Sequence, residues 1–138
     1  MKFSSGIILL LFVVSVSSCN KDEKKSANDI YNTWEVKEFL SVESVLYSKE
    51  KNYNPIVEFR RDGTIKISAD VNSCFSSYTL ISDSGILISE VGCTKICCDS
   101  NFSEKFITMV SQVESFSLEN NEMKLFIPGW GFIKMELH

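Results

Sequence analysis

Ile56-Val57-Glu58-Phe59-Arg60-Arg61-Asp62-Gly63-Thr64-Ile65-Lys66-Ile67-Ser68-Ala69-Asp70-Val71 is the stretch that decides the fold. Ile56 to Phe59 leads into an Asp-Gly pair, and Ile65, Ile67, Ala69 and Val71 then recur at every second position. Lys66, Ser68 and Asp70 fall on the opposite face. An Asp-Gly between two apolar runs signals a tight hairpin, in which both central residues take positive φ. Each strand should therefore bury one face and wet the other.

The next stretch repeats the pattern. Ser76 to Ile81 and Ile86 to Val91 flank Asp83-Ser84-Gly85. With Asp83 and Ser84 at the centre of the turn, Leu80 faces Leu87, Tyr78 faces Ser89 and Cys74 faces Cys93. Directly opposed residues have Cβ atoms about 4.5 to 5.5 Å apart, within reach of a disulfide after small adjustment. That pairing leaves Cys97 beside Cys98. A second solution, Cys74 with Cys98 and Cys93 with Cys97, avoids a bridge between neighbours, and both stay open.

Further from the centre, Thr33 to Leu40 begins with Trp34 and Val36 in alternation. Phe102, Phe106, Val110 and Val113 recur at spacings of four and three, which predicts a helix within residues 99 to 113 with this stripe in the core. Asn101 and Glu104 fit a capping box, and Asp99 suits the positive end of the helix dipole. Phe116 and Leu118, a turn at Asn120-Asn121, and Met123, Leu125 and Ile127 predict a further hairpin. Pro128-Gly129-Trp130-Gly131 breaks it before Ile133, Met135 and Leu137. The fold class is thus mainly β (α+β): a small antiparallel β barrel-like or strongly curved sheet of seven to eight strands with one helix.

The first 18 residues read as a leader, with one charge at Lys2 and an unbroken apolar run from Ile7 to Val14. A bilayer span needs about 20 apolar residues, so this run fits a cleaved export signal. Its end, Val16-Ser17-Ser18-Cys19, resembles the lipobox of bacterial lipoproteins and implies lipidation at Cys19. The following Lys21-Asp22-Glu23 resembles the acidic export tag of surface-displayed lipoproteins, and fits a solvated tether equally well. The expected organisation is a lipoprotein signal peptide over 1-18, a flexible tether over 19-29 and one folded domain over 30-138. The expected location is the cell envelope, as an outer membrane lipoprotein. Its membrane contact would be the N-terminal lipid anchor, and surface exposure is a further expectation.

Composition narrows the chemistry. Fourteen basic against eighteen acidic residues give a net charge of -4, which argues against nucleic acid as a partner. The single histidine is His138, the last residue, so histidine-based acid–base catalysis and a two-cysteine, two-histidine zinc site in the core have no basis. Cys74, Cys93, Cys97 and Cys98 are an even set in an exported chain, which favours disulfides over a metal site.

Asn72-Ser73-Cys74-Phe75-Ser76-Ser77-Tyr78-Thr79, Ile86-Leu87-Ile88 and Cys93-Thr94 to Cys98 together resemble the META domain of the HslJ type. The resemblance runs from Trp34 through a helix with Glu104 and Phe106 to the closing hairpin. In many members a Gly-Cys-Asn precedes a Gly-x-Tyr, and a Thr-x-x-x-Cys follows the next strand. Asn72, Tyr78, Thr94 and Cys98 match; Val71 and Ser76 depart, and Cys74 stands three residues after the missing thiol. The resemblance implies a mostly antiparallel β fold with a packed helix, found in secreted proteins and lipoproteins, and no established catalytic residues.

Three kinds of chemistry compete on this scaffold. Cys97-Cys98 could serve as a nucleophile or redox pair, with Lys95 and a helix N-terminus nearby, but no histidine is available as a base. Glu35 with Glu38, or Glu119 with Glu122, could serve as paired carboxylates if they faced a cleft. Binding is the favoured class, with Trp130, Tyr78 and Phe75 as candidate contact residues and Tyr47 and Tyr53 in an irregular loop. The expected function is a non-catalytic interaction or envelope-maintenance module, monomeric, without cofactor or metal. Its partner would be an unidentified envelope protein or small ligand. The alternative is a lipocalin-like barrel holding a small apolar ligand.

Overall fold

The computed structural model describes residues 30–49 and 53–138, so the leader, Cys19 and the tether lie outside the described residues. Nine strands and one helix follow in the order β1 (Thr33–Ser41), β2 (Ile56–Phe59), β3 (Thr64–Ser68), β4 (Ser73–Leu80), β5 (Ile86–Ile88), β6 (Gly92–Cys93), α1 (Asn101–Val110), β7 (Ser115–Glu119), β8 (Glu122–Ile127) and β9 (Gly131–Leu137). The strands form one antiparallel sheet ordered β5-β4-β3-β2-β1-β9-β8-β7, with β6 extending β4. Its two ends meet through a bridge between Gly85 and Ser115, where Ile86 N–H donates to Glu114 O at 3.1 Å and Phe116 N–H to Ser84 O at 2.8 Å. The sheet is therefore a nearly closed barrel, an arrangement that leaves little free strand edge.

Alternation fills the interior. Val36, Val57, Phe59, Ile65, Ile67, Met123, Leu125, Ile133 and Met135 are all within 2% of complete burial. α1 closes one side of this core with Phe102, Phe106, Met109 and Val110, joined by Val113 just beyond the helix. The predicted stripe is the buried face of the helix.

Several local expectations are corrected. At Asp62-Gly63 only Gly63 has positive φ, +83°; Gly63 N–H donates to Arg60 O and Arg60 N–H to Thr64 O, so the turn lies on Arg61 and Asp62 with Gly63 as a one-residue bulge. Asp62 holds this shape by accepting from Thr64 N–H at 2.9 Å and from Thr64 Oγ1 at 2.6 Å.

The second hairpin is slipped by one residue. Tyr78 faces Ile88 and Leu80 faces Ile86, while Cys74 still faces Cys93. β4 therefore opposes one extra residue between β5 and β6, where the Ser76 hydroxyl donates to Ser89 O and Glu90 O. The slip has a clear cause. A one-residue shift exchanges the faces of a strand, and this one buries Ile86 and Ile88 in the core and leaves Leu87 outside.

The helix is capped by Ser100, whose hydroxyl accepts from Ser103 N–H at 3.3 Å, rather than by Asn101 and Glu104. Asp99 turns away from the helix, and Oδ1 accepts from the Val71 and Asn72 N–H groups. That corner ends β3 at Ser68, so Val71 is exposed instead of continuing the buried stripe. The mainly β, barrel-like expectation holds, with nine strands among the described residues once the two-residue β6 paired with β4 is counted.

Candidate functional site

A break in β1 sets up the site. Opposite β9 its register shifts between Val36 and Glu38, so the inward face passes from Trp34 and Val36 to Phe39. Bulges re-aim side chains in this way. Phe39 stacks on Phe102 of α1 with ring centres 4.4 Å apart and meets Trp130 and Tyr47 edge-on at 6.0 and 5.9 Å. Beyond β1 the chain crosses this aromatic group as a strap, residues 42–49.

Both ends of the strap are tied. Val42 N–H donates to Trp130 O at 2.9 Å, and Phe102 N–H donates to Ser48 O at 3.0 Å. In the middle, the Tyr47 hydroxyl donates to Glu43 Oε2 at 2.5 Å, and the Lys105 ammonium from α1 lies 3.0 Å from the same carboxylate. Between strap, β1 and β9 lies an open cleft of about 830 Å3 whose walls include Phe39, Phe102, Trp130, Tyr47, Leu40 and Phe132. Val42, Val45 and Leu46 stand on its rim with 78, 61 and 97% of their surface exposed.

Charges line this apolar space. The Tyr47 hydroxyl, then Lys105 and Trp130, hold the Glu43 carboxyl below its ordinary range against the opposing effect of burial. Burial opposes the charge on Lys105, but Tyr47 and Glu43 outweigh it and raise its pKa. The Lys105 ammonium also lies 5.1 Å from the centre of the Tyr47 ring and 5.4 Å from that of Trp130. Lys49 is lowered, chiefly by desolvation, and sits 4.2 Å above the Phe102 ring.

The three candidate contact residues are not brought together. Trp130 is 8% exposed and walls the cleft from the β8–β9 turn. Its indole Nε1 is buried, outside strict hydrogen-bond geometry to the described residues, but lies close enough to the Glu43 carboxylate for its hydrogen bonding to help lower that group's pKa. Tyr78 is buried on β4, edge-on to Phe59, and donates to Arg60 O at 2.8 Å; burial pushes its hydroxyl up to about 12. Phe75, three residues away on the same strand, points outward. Tyr53 donates to Ser68 O.

The cysteines occupy a second region. Cys74, fully buried, is bonded to Cys93, and the exposed Cys97 and Cys98 are bonded to each other. Asn72 organises this loop. Its Oδ1 accepts from Thr94 Oγ1 and Ile96 N–H, both at 2.8 Å, and its Nδ2 donates to Ile96 O at 2.7 Å and Asp99 Oδ2 at 2.6 Å. Glu119 and Glu122 face a common open hollow of about 410 Å3 beside the β7–β8 turn, while Glu35 and Glu38 lie on an ionic ladder with Lys37 and Lys134. Glu35 binds Lys37, Asn54 and the neighbourhood of His138, and Glu122 bridges Lys124 and Lys134. Hydrogen bonds from Lys37 first, and from Lys134 first, hold Glu35 and Glu122 below the usual carboxylate range.

Sequence reasoning missed Phe39, Lys49, Lys105 and the strap as parts of one site. A usable signal was present in Val42-Glu43-Ser44-Val45-Leu46-Tyr47, an apolar-rich run that follows a strand without Gly, Pro, Asn or Asp.

A nearly closed antiparallel barrel with a packed helix and an aromatic cleft at one end defines a small, mainly β domain. A family model for the META domain matches residues 28–129, and the chain belongs to the META domain family. Two solved structures share the fold. A protein from Burkholderia xenovorans, determined by NMR, is 9% identical with a TM-score of 0.64, covering 78% of this chain and 82% of its own. A DUF4847-family protein from Bacteroides vulgatus, a crystal structure, is 15% identical with a TM-score of 0.56, covering 78% of this chain and 92% of its own. No curated protein matches the chain.

The family-matching Asn72, Tyr78 and Thr94 all hold structure. Tyr78 locks β4 to the Arg60 turn, and Asn72 and Thr94 bond each other in the cysteine loop.

Proposed function

We propose that the chain is a cell-envelope lipoprotein, anchored through Cys19, whose META domain is a non-catalytic binding module that works through the strap cleft. The observation that carries this reading is the cleft itself: about 830 Å3 walled by Phe39, Tyr47, Phe102 and Trp130 and rimmed by exposed Val42, Val45 and Leu46. Concave, mainly apolar sites with a few polar groups are where small molecules and partner segments bind. Exposed apolar side chains grouped around such a site mark an interaction surface.

The non-catalytic part of the reading draws on the titratable groups. Glu35 and Glu122 are held ionised by lysines, and neither is placed as a carboxylic acid that could protonate a leaving group. His138 is exposed at the end of β9. A ligand held in the lipocalin manner belongs at the strap end, because core side chains occupy the barrel interior.

Two measurements test the reading. Metabolic labelling with a radioactive fatty acid should mark the wild-type protein and not Cys19→Ala; an unlabelled wild type, or a variant labelled equally, would end the anchor assignment. A hydrophobic fluorescent probe should bind the purified chain and lose affinity in Leu46→Asp but not in Leu87→Asp. Equal binding by both variants, or none by the wild type, would end the cleft assignment.

A further inference from the structure

We infer that the strap cleft takes a monomeric single-chain amphiphile with a carboxylate head, the head on Lys49 and the chain along Phe39, Phe102 and Trp130. This rests on the binding-module reading and adds the chemical class of the ligand.

The head group follows from charge. Lys37, Lys105, Lys124 and Lys134 each pair with a described carboxylate. Lys49 also lines the cleft, yet no described carboxylate reaches it within ion-pair distance. Its ammonium donates to Lys37 O at 2.5 Å and Asn54 Oδ1 at 2.9 Å, two neutral acceptors, and rests over the Phe102 ring. An ammonium has three donors, so one remains for an anion. One lysine is a single point charge; a phosphate head would call for several converging donors or an arginine fork. A carboxylate matches what is present.

The tail follows from the walls. From Lys49 the lining continues over Phe102 and Phe39 to Trp130, with Leu40 and Val42 beside them, all apolar or aromatic. The volume falls within the roughly 300 to 1,000 Å3 of small-molecule sites. Trp130 adds a buried aromatic face to that wall, with its indole close enough to the Glu43 carboxylate to help hold it ionised.

A monomeric ligand fits better than a bilayer surface. Trp130 is more than nine-tenths buried beneath the strap, and Phe39 and Phe102 stack on each other behind it, so the aromatic wall is recessed from a flat surface.

The test is calorimetric titration of the full chain with dodecanoate, dodecanol and dodecyltrimethylammonium, all below their micellar concentrations, and with vesicles of phosphatidylcholine and phosphatidylglycerol. Dodecanoate should bind and change tryptophan emission, with the cationic analogue weaker by roughly tenfold or more, the scale of one charge-assisted hydrogen bond. Lys49→Gln should weaken dodecanoate by a similar factor and leave dodecanol unchanged, and Lys49→Arg should restore it. Equal affinity for dodecanoate and dodecanol, with Lys49→Gln neutral, overturns the assignment of the head. Binding to vesicles without binding to dodecanoate overturns the monomeric ligand. If the fluorescent probe binds at the strap while dodecanoate does not, the ligand class falls and the binding module stands. If neither binds, both fall.

Discussion

Lys105 on α1 and Glu43 on the strap form an ion pair of 3.0 Å between residues 62 positions apart in the chain. The pair, with the Tyr47 hydroxyl on the same carboxylate, ties the roof of the cleft to the helix. Much of the remaining support for this roof is backbone bonding at its ends.

Acid should loosen the strap. The folded-state pKa of Glu43 lies below its ordinary 4.5, chiefly through Tyr47 and Lys105, so its contribution is present above that value and is lost as pH falls through the folded pKa. Hydrogen exchange of the strap amides should therefore quicken below about pH 4.5 while the barrel strands stay protected. In Glu43→Gln the strap should exchange faster at neutral pH and show no such step. A step that persisted in Glu43→Gln would place the acid response elsewhere.

Gly131 should tolerate no side chain. Its φ is +144°, and a Cβ there would collide with the Leu40 carbonyl oxygen and lie 2.7 Å from Ser41 Cα. Gly92 has open space around it. Gly131→Ala should cost more than about 2 kcal/mol in urea unfolding, and Gly92→Ala less than about 1 kcal/mol. Similar costs for the two would contradict the close approach of β9 to β1.

How far the sequence carried the reading depended on how local each signal was. Val57, Phe59, Ile65 and Ile67 alternate within one hairpin, and the sheet honours that alternation because nothing distant competes. The helix stripe from Phe102 to Val113 was legible for the same reason. The β4–β5 register was not, because it is decided by burying Ile86 and Ile88 against a core assembled from remote strands. The cleft was legible only in part. Trp130 stood out between glycines, but Phe39 reaches the site through a bulge opposite β9, and Lys105 arrives from a helix that reads as purely structural. Tyr78 and Phe75, adjacent to the cysteines, were separated by the strand's own alternation into core and surface.

Asn72 should prove a structural linchpin of the cysteine loop. Asn72→Ala removes four hydrogen bonds at once and takes their side-chain partner from the Ile96 N–H, the Ile96 carbonyl, the Thr94 hydroxyl proton and Asp99 Oδ2. The expected cost is about 2 to 4 kcal/mol by denaturant unfolding, given about 1 kcal/mol per net hydrogen bond with some groups regaining water. Exchange of Ile96 N–H should rise well before global unfolding. A loss under about 0.5 kcal/mol would show that the disulfides alone define the loop.

The two disulfides should differ in weight. Cys74–Cys93 closes a loop spanning 19 positions around the β4–β5 hairpin and should contribute roughly 3 kcal/mol in the chain-entropy model. Cys97–Cys98 closes no loop of that size. Replacing Cys74 and Cys93 by serine should lower the unfolding midpoint sharply, and replacing Cys97 and Cys98 should shift it little. Non-reducing peptide mapping that linked Cys74 to Cys98 would contradict the arrangement and the β4–β6 register with it.

The most direct test of the cleft as the working surface is photocrosslinking in intact cells, with a benzophenone side chain at Leu46 or, as control, at Leu87. Leu46 stands on the rim of the cleft, while Leu87 is exposed on β5 outside its lining. Intact-mass spectrometry should show an added mass, ligand or partner, on the protein labelled at position 46 and none at 87. Adducts at 87 without adducts at 46 would contradict the account.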